Sequence, residues 1–162
     1  MASQEETTMK KLLWMVAIAG VGFGAWKWHA RGAATQAEAS DAKLVHNRLW
    51  IDHMPKNDRD TIQVFVTLSD ESLGIFQATS GWKGQFELFT FESSGDEMRI
   101  VYGQDGDKDK VRAKARKCDD GGMDFCLELS GNSRGVQKYY SLEGWELDSL
   151  ADEQAKVRAL AH

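Results

Sequence analysis

The sequence lacks the short motifs that identify several enzyme classes. It contains no Gly-x-Ser-x-Gly of serine hydrolases, no glycine pattern for binding phosphates or dinucleotides, and no Cys-x-x-Cys of thiol oxidoreductases. It also lacks low-complexity tracts, and its two Gly-Trp pairs are too short to establish an internal repeat. We therefore expect no catalytic residues and no cofactor. A hydrolytic enzyme is an alternative that an open cleft with converging His and Asp side chains would support.

A surplus of basic residues is also missing. The chain has 20 Lys and Arg against 25 Asp and Glu, a formal net charge of -5. Residues 1–31 hold four of the basic and two of the acidic residues, so the remainder has 16 basic and 23 acidic residues and a net charge of -7. Binding to nucleic acid requires clustered Lys and Arg to neutralise phosphates. We therefore expect no nucleic-acid partner.

Charge is absent from residues 12–26, and residues 12–28 form an apolar segment. A helix of about 17 residues is roughly 25 Å long, which is the short end of what crosses a bilayer core. Lysines flank the segment, and tryptophans lie near both of its ends, where indole rings favour the headgroup level. The pattern predicts a single transmembrane anchor that is retained in the mature protein.

Two alternatives to a retained anchor stay open. One is a cleaved signal peptide with Gly32, Ala33 and Ala34 at the cleavage site, and the other is a buried helix of a soluble protein. Within an anchor, Gly20 and Gly24 have the Gly-xxx-Gly spacing that lets two helices approach closely. Self-association through this face is therefore an alternative to a monomeric anchor.

The chain divides into five parts by composition. These are a tail (1–11), the anchor (12–28), a flexible tether (29–43), an antiparallel β domain (44–147) and a C-terminal helix (148–162). The tail before the anchor is short and all large parts follow it, which favours a cytoplasmic N-terminus. We expect the β domain outside the cytoplasm, on the periplasmic side if the cell is Gram-negative.

The β domain is predicted from alternation of apolar and polar residues between short turns. The clearest strand, Thr61–Leu68, puts its aliphatic residues on one face, whereas the apolar parity slips within Gln85–Glu92 and predicts a bulge or a strand buried on both faces. About eight short strands without intervening helices imply a meander, either a small barrel or a two-layer sandwich. The predicted strands are Arg48–His53, Thr61–Leu68, Leu73–Thr79, Gln85–Glu92, Met98–Tyr102, Val111–Ala115, Phe125–Leu129 and Val136–Leu142.

The number and order of these strands resemble those of lipocalin-like barrels. The Gly-x-Trp motif of that class is missing, because the first strand reads Asn47-Arg48-Leu49-Trp50. The resemblance therefore implies architecture and carries no function. It leaves a carrier of a small apolar molecule as an alternative, although a barrel of about 100 residues is more readily filled by its own side chains. The candidate pocket or core residues are Trp50, Phe65, Trp82, Phe86, Phe89 and Tyr102.

Cys118 and Cys126 each lie four positions from Gly122, the expected centre of a hairpin. On paired strands they would share a face, so we predict a disulfide across the hairpin, with two reduced structural thiols as the alternative. A disulfide would require an oxidising compartment, which agrees with a domain outside the cytoplasm.

Other charged and titratable residues point to surface roles. Lys110, Arg112, Lys114 and Arg116 alternate along one strand and form a candidate basic face for anionic lipid or an acidic partner, with a solvated strand face as the alternative. The Asp105–Asp109 segment resembles the start of a calcium loop but lacks its central Gly and closing Glu. His46, Asp52 and His53 invite a metal or acid-base interpretation, but strand parity separates the two imidazoles, so no metal site is expected.

These observations favour a membrane-tethered, extracytoplasmic β-domain protein. We expect it to act as a non-catalytic binding or assembly component with a protein partner that the sequence does not identify. A carrier of a small apolar ligand or lipid is the first alternative, and a hydrolytic enzyme is the second.

Overall fold

The computed structural model describes residues 41–160 as one β domain with two helices. The predicted tail, anchor and most of the tether, including Gly20 and Gly24, lie outside these residues. From residue 41 to residue 160, no helix is both long and apolar enough to cross a membrane. The elements are α1 (Ala42–Val45), β1 (Trp50–Ile51), β2 (Ile62–Leu68), β3 (Leu73–Thr79), β4 (Gly84–Ser94), β5 (Glu97–Tyr102), β6 (Lys108–Asp120), β7 (Met123–Ser130), β8 (Lys138–Ser141) and α2 (Leu150–Leu160).

The eight strands form a closed antiparallel barrel in which each strand pairs with its neighbours in sequence. The short β1 closes it, because Ile51 pairs with Val64 of β2 on one side and with Tyr140 of β8 on the other. The predicted meander is confirmed, and it is a barrel rather than a sandwich. Closure leaves no unpaired edge among these eight strands.

The predicted irregularity in β4 is wrong. Pairing is continuous from Gly84 to Tyr102, with one fixed register to β3 and another to β5. The apolar parity slips because apolar residues lie on opposite faces in the two halves of the strand. Phe89 and Phe91 point into the barrel and are buried, whereas Phe86 and Leu88 point outwards and are exposed. The register instead shifts between Lys117 and Asp120 of β6.

Aromatic rings occupy the barrel interior. Phe65, Phe76 and Phe89 pack against one another with ring centroids 5.1–6.1 Å apart, and Tyr102 and Tyr139 extend the cluster. Small residues on β6 face large ones on β7, since Ala113 pairs with Leu129 and Ala115 with Leu127. Such pairs let an eight-stranded barrel fill its own interior at close packing.

A second apolar cluster lies on the outside of the barrel. The aliphatic face predicted for β2 points outwards, and the C-terminal segment covers it through Leu147, Val157 and neighbouring apolar side chains. The β2 strand is therefore buried on both faces, with Phe65 on the inside and residues such as Val64 on the outside.

Specific polar contacts hold the two terminal segments on the barrel. Asp41 accepts a hydrogen bond from the Lys43 amide and caps α1, which begins within the segment predicted as the tether. The buried Arg48 stacks on Phe125, donates to the Leu142 carbonyl at 2.8 Å and pairs with Glu146. Helix α2 is the predicted C-terminal helix. At the start of this helix, the Ser149 hydroxyl accepts a hydrogen bond from the Asp152 amide, as the spacing of a capping box predicts.

We predict that Gly74→Ala destabilises the barrel. The Phe89 ring lies directly over Gly74, so an added Cβ would overlap it and would also lie 2.9 Å from the Val66 carbonyl oxygen. Overpacking of this kind costs about 1–3 kcal/mol. Gly84→Ala is the matched control, because its Cβ would meet Thr79 Oγ1 at 3.4 Å, an ordinary contact. Urea unfolding followed by circular dichroism would measure both, and equal stabilities would contradict the packing described here.

Candidate functional site

The structure separates the six predicted pocket or core residues into two groups. Trp50, Phe65, Phe89 and Tyr102 are buried inside the barrel. Trp82 and Phe86 are instead 73 % and 60 % exposed, because Trp82 lies in the β3–β4 turn and Phe86 faces outwards on β4. Trp82 and Phe86, which their residue type predicts as pocket or core residues, instead form the aromatic part of an outer surface.

The indole ring of Trp82 is held in place despite its exposure. Its Nε1 atom donates a hydrogen bond to Asp58 Oδ2 at 3.0 Å, and the neighbouring Gly81 amide donates to the Asp58 carbonyl at 2.8 Å. Ser80 Oγ also accepts from the Trp82 amide at 3.3 Å. An exposed ring that is oriented in this way loses little conformational freedom when a partner covers it.

An open groove of about 630 Å³ runs between α2 and the outer faces of β3 and β4. We call it the α2 groove. Cross-strand pairs place Leu88 beside Ile75 and Phe86 beside Gln77, so the outer apolar surface continues from β2 across β3 to β4. Its lining consists of Ile75, Gln77, Thr79, Ser80, Gly81, Trp82, Lys83, Gly84, Phe86, Leu88, Leu150, Glu153, Gln154, Val157 and Arg158.

Helix α2 covers only part of this apolar surface. Leu150, Val157 and Leu160 belong to the outer cluster with the aliphatic side chains of β2 and β3. On β4, in contrast, Phe86 and Leu88 are 60 % and 36 % exposed. The α2 groove therefore lies between the apolar surface that α2 buries and the apolar surface of β4 that stays accessible.

Among residues 41–160, Glu153 is the one carboxylate that lines the α2 groove. It is only 1 % exposed, and its Oε1 atom has no hydrogen-bond partner among residues 41–160. Burial raises the pKa of this carboxyl from 4.5 to about 7. A carboxyl group without a partner is costly to ionise in such surroundings, so Glu153 holds its proton up to near-neutral pH.

Sequence analysis missed Glu153, although a signal was present. The apolar stripe of α2 reads Leu150, Val157 and Leu160, and helical spacing places position 153 within it. A carboxylate inside an otherwise apolar helical stripe indicates either a buried partner or a functional group. Asp58 gave no comparable signal, because its contact with Trp82 joins two turns that are 24 residues apart.

A polar cluster, centred on Arg134, lies against the Tyr102 ring. Arg134 lies 4.9 Å from the Tyr102 ring centre and pairs with Glu87 at 3.2 Å and with Asp105 and Asp107. Asp109 accepts hydrogen bonds from the Tyr102 hydroxyl and from Ser133 at 2.6–2.8 Å. Burial acts to raise the pKa of Asp109, but these hydrogen bonds outweigh it and the pKa is lowered. The Asp105–Asp109 segment thus forms a turn whose carboxylates bind protein groups.

The predicted basic face is an exposed row on β6, but its charges have acidic neighbours. Lys110 pairs with Glu97 at 2.9 Å and Arg116 approaches Glu128 at 3.9 Å. Arg112 and Lys114 are also exposed, and their cross-strand partners include Glu97 and Glu128. These exposed pairs contribute little to stability and partly neutralise the row.

The Sγ atoms of Cys118 and Cys126 lie 2.06 Å apart, which is the distance of a disulfide bond. The pair therefore agrees with the disulfide predicted across the hairpin. The two residues are not directly opposite, however, because Cys126 pairs with Arg116 in the strand register. The register shift between Lys117 and Asp120 brings Cys118 towards Cys126. A local irregularity, rather than regular cross-strand alignment, therefore positions this pair.

His46 and His53, the two histidines within residues 41–160, do not form a shared site. His46 stacks on Phe91 with ring centroids 5.3 Å apart, and burial lowers the pKa of its imidazole. His53 lies between Asp52 and Asp60, at 2.9 and 3.3 Å. Both carboxylates also accept hydrogen bonds from backbone amides within residues 52–63, so they stabilise this loop. In the described part of the chain, no cluster of three or more His, Cys, Asp or Glu side chains could hold a metal ion.

Comparisons with known proteins add no family to this geometry. No protein-family model, curated protein or solved structure matches the chain. The eight-stranded antiparallel barrel is compatible with the lipocalin-like architecture that the strand pattern resembles, and the resemblance carries no site residues.

We predict that Glu153→Gln removes a pH-dependent loss of stability. A pKa raised to about 7 from 4.5 means that the folded state holds a proton that the unfolded state releases, so Glu153 destabilises the fold as pH rises from about 4.5 to 7. At pH 8 the variant should be more stable than the parent by up to about 3 kcal/mol, and at pH 4 nearly equal to it.

Urea unfolding of both proteins at several pH values would measure this difference. Glu71→Gln, at an exposed turn position, is the matched control and should show no such trend. A difference between Glu153→Gln and the parent that does not change with pH would contradict the burial of the carboxyl.

Proposed function

We propose that this protein is a membrane-tethered, non-catalytic binding or assembly component whose β domain lies outside the cytoplasm. Residues 12–28 provide the membrane anchor, and residues 29–40 connect it to the domain that starts near Asp41. The binding surface is the α2 groove with Trp82, Phe86 and Leu88 at its open side. A protein partner is the occupant that this surface suits best.

The exposure of two aromatic residues, one of them held in place, is the observation that carries the proposal. Interior space is already occupied by Phe65, Phe89, Tyr102 and other side chains. The accessible apolar surface instead lies outside, where Trp82 is fixed by Asp58. Exposed aromatic residues that are grouped beside a groove are typical of protein interfaces, and the fixed Trp82 ring is suited to such a contact.

The proposed location rests on two independent features. The uncharged 12–26 segment prefers lipid to water, and the Cys118–Cys126 pair at disulfide distance favours an oxidising compartment. Both features agree with a cytoplasmic N-terminus followed by a translocated domain.

A carrier of a small apolar ligand is the second candidate. The α2 groove has a volume within the range of small-molecule sites and an apolar side formed by Ile75, Phe86, Leu88 and Val157. Such a carrier would hold its ligand on the outside of the barrel. Native mass spectrometry of protein isolated from its source would detect a retained lipid-sized mass if this candidate holds.

We predict that the full-length chain remains in the membrane pellet after a carbonate wash of source cells. Digestion without reductant, after thiols have been blocked in intact cells, should yield a linked peptide that contains Cys118 and Cys126. The same digest after reduction is the control. Unprocessed chain in the cytosol with two alkylated thiols would overturn the proposed location.

We also predict that the α2 groove surface captures the partner. Chemical crosslinking in intact membranes, followed by pull-down of the full-length chain, should recover one dominant protein with the parent and at least tenfold less with the double variant Trp82→Ala/Phe86→Ala. Met54→Ala/Val101→Ala is the matched control, since both residues are exposed and lie outside the groove lining. Equal recovery from both double variants would exclude this surface.

A further inference from the structure

We propose that the α2 groove binds a lysine side chain of the protein partner, with the lysine ammonium on the Glu153 carboxylate and the lysine stem against Trp82 and Phe86. This inference rests on the proposed function and names the chemistry that the same surface recognises.

Glu153 supplies the charge that the lysine would neutralise. It lines the groove and is almost wholly removed from water, and its Oε1 atom lacks a partner within residues 41–160. Two other carboxylates have protein partners: Asp58 accepts a hydrogen bond from Trp82, and Asp105 pairs with Arg134. A buried acceptor that the fold leaves unsatisfied is most strongly stabilised by a cationic donor.

The aromatic residues supply the rest of a lysine site. A lysine stem has four methylenes, which pack on apolar surface while the ammonium reaches a polar group. Trp82 and Phe86 provide such surface beside the groove, and their ring faces also attract a cation. Because Asp58 fixes the indole ring, this surface exists before the partner arrives.

An ammonium suits the groove better than a guanidinium does. Lysine presents three donors on a compact head, whereas arginine presents five in a rigid planar fork. The groove offers the Glu153 carboxylate and the side-chain carbonyls of Gln77 and Gln154. These acceptors can satisfy the three donors of an ammonium, whereas a bidentate contact with Glu153 would use only two of the five donors of a guanidinium.

Two cations at the rim shape the partner further. Lys83 of the β3–β4 turn and Arg158 of α2 are the other charged groups that line the groove, while β3 and β4 contribute neutral residues. Both cations are exposed, so water and salt screen their repulsion of a bound lysine far more than they screen the buried carboxylate. They favour a partner segment in which the lysine has an acidic neighbour.

The ionisation of Glu153 should make binding depend on pH. Only the ionised carboxyl attracts an ammonium, and this form becomes dominant above the raised pKa of about 7. Affinity for a lysine peptide should therefore rise about tenfold from pH 6 to pH 8. Adsorption on exposed aromatic rings alone would show no such rise.

The test uses the full-length chain in phosphatidylcholine nanodiscs and a fluorescein-labelled peptide with the sequence Leu-Lys-Leu-Asp, followed by fluorescence anisotropy. The paired probe replaces the lysine by norleucine, which keeps the stem and removes the ammonium. We expect the lysine peptide to bind at pH 8 at least tenfold more tightly than the norleucine peptide. Glu153→Gln should abolish this preference, and Glu71→Gln should preserve it.

Each other outcome overturns the lysine site. Equal binding of the two peptides, or a lysine preference that survives Glu153→Gln, would show that Glu153 does not recognise the ammonium. Binding of n-octylammonium but not of the lysine peptide would assign the groove to a free amine ligand. The proposed function stands separately, because crosslinking that depends on Trp82 and Phe86 but not on Glu153 would support the interface and refute the lysine contact.

Discussion

The two-sided burial of β2 is the constraint on which the rest of the molecule depends. An eight-stranded barrel fills its interior with one face of each strand, and the sequence of β2 also carries large aliphatic residues on the other face. That outer face must be covered, so the chain after β8 returns across it and ends as α2. Arg48 fixes the return by joining the first segment of the domain to Leu142 and Glu146. The α2 groove results from this arrangement, because α2 covers the outer face of β2 but leaves the outer face of β4 exposed.

Strand pattern was sufficient to predict the meander, and it was insufficient to decide which face of each strand is inside. Ile62, Val64, Val66 and Leu68 form a regular apolar face, and such a face is normally taken as the core side. In this barrel the core side carries Phe65, and the aliphatic face belongs to the outer cluster. The same ambiguity affects β4, where four aromatic or aliphatic residues lie on both faces of an unbroken strand. The alternation of apolar residues alone cannot show which face of a strand points into the barrel when a later segment covers the outer face.

The candidate site was less predictable than the fold because its parts come from separated segments. Trp82 and Phe86 looked like core residues by type, since large aromatic side chains are usually buried. Trp82 lies in a turn and Phe86 faces outwards, so their exposure depends on how far α2 extends over β4, and α2 could not be placed from its own residues. The disulfide was easier to predict, because its two residues lie within one hairpin and their spacing limits where they can meet. Local pairs can be inferred from sequence, whereas a groove between a helix and a distant hairpin depends on tertiary packing.

The position of Glu153 links the stability of the domain to its proposed recognition of a partner. A helix that only had to cover β2 would be most stable with an apolar residue at this position, and isosteric apolar replacements of buried ionisable groups are often stabilising. The carboxyl instead weakens the docking of α2 as it ionises, because burial has raised its pKa to about 7. A cation that neutralises it would remove this penalty while it covers Trp82 and Phe86. The same oxygen, which has no hydrogen-bond partner within residues 41–160, lowers the stability of the free domain and would make a specific contact in the proposed complex. A recognition residue is expected to combine a cost in the free protein with selectivity in the complex.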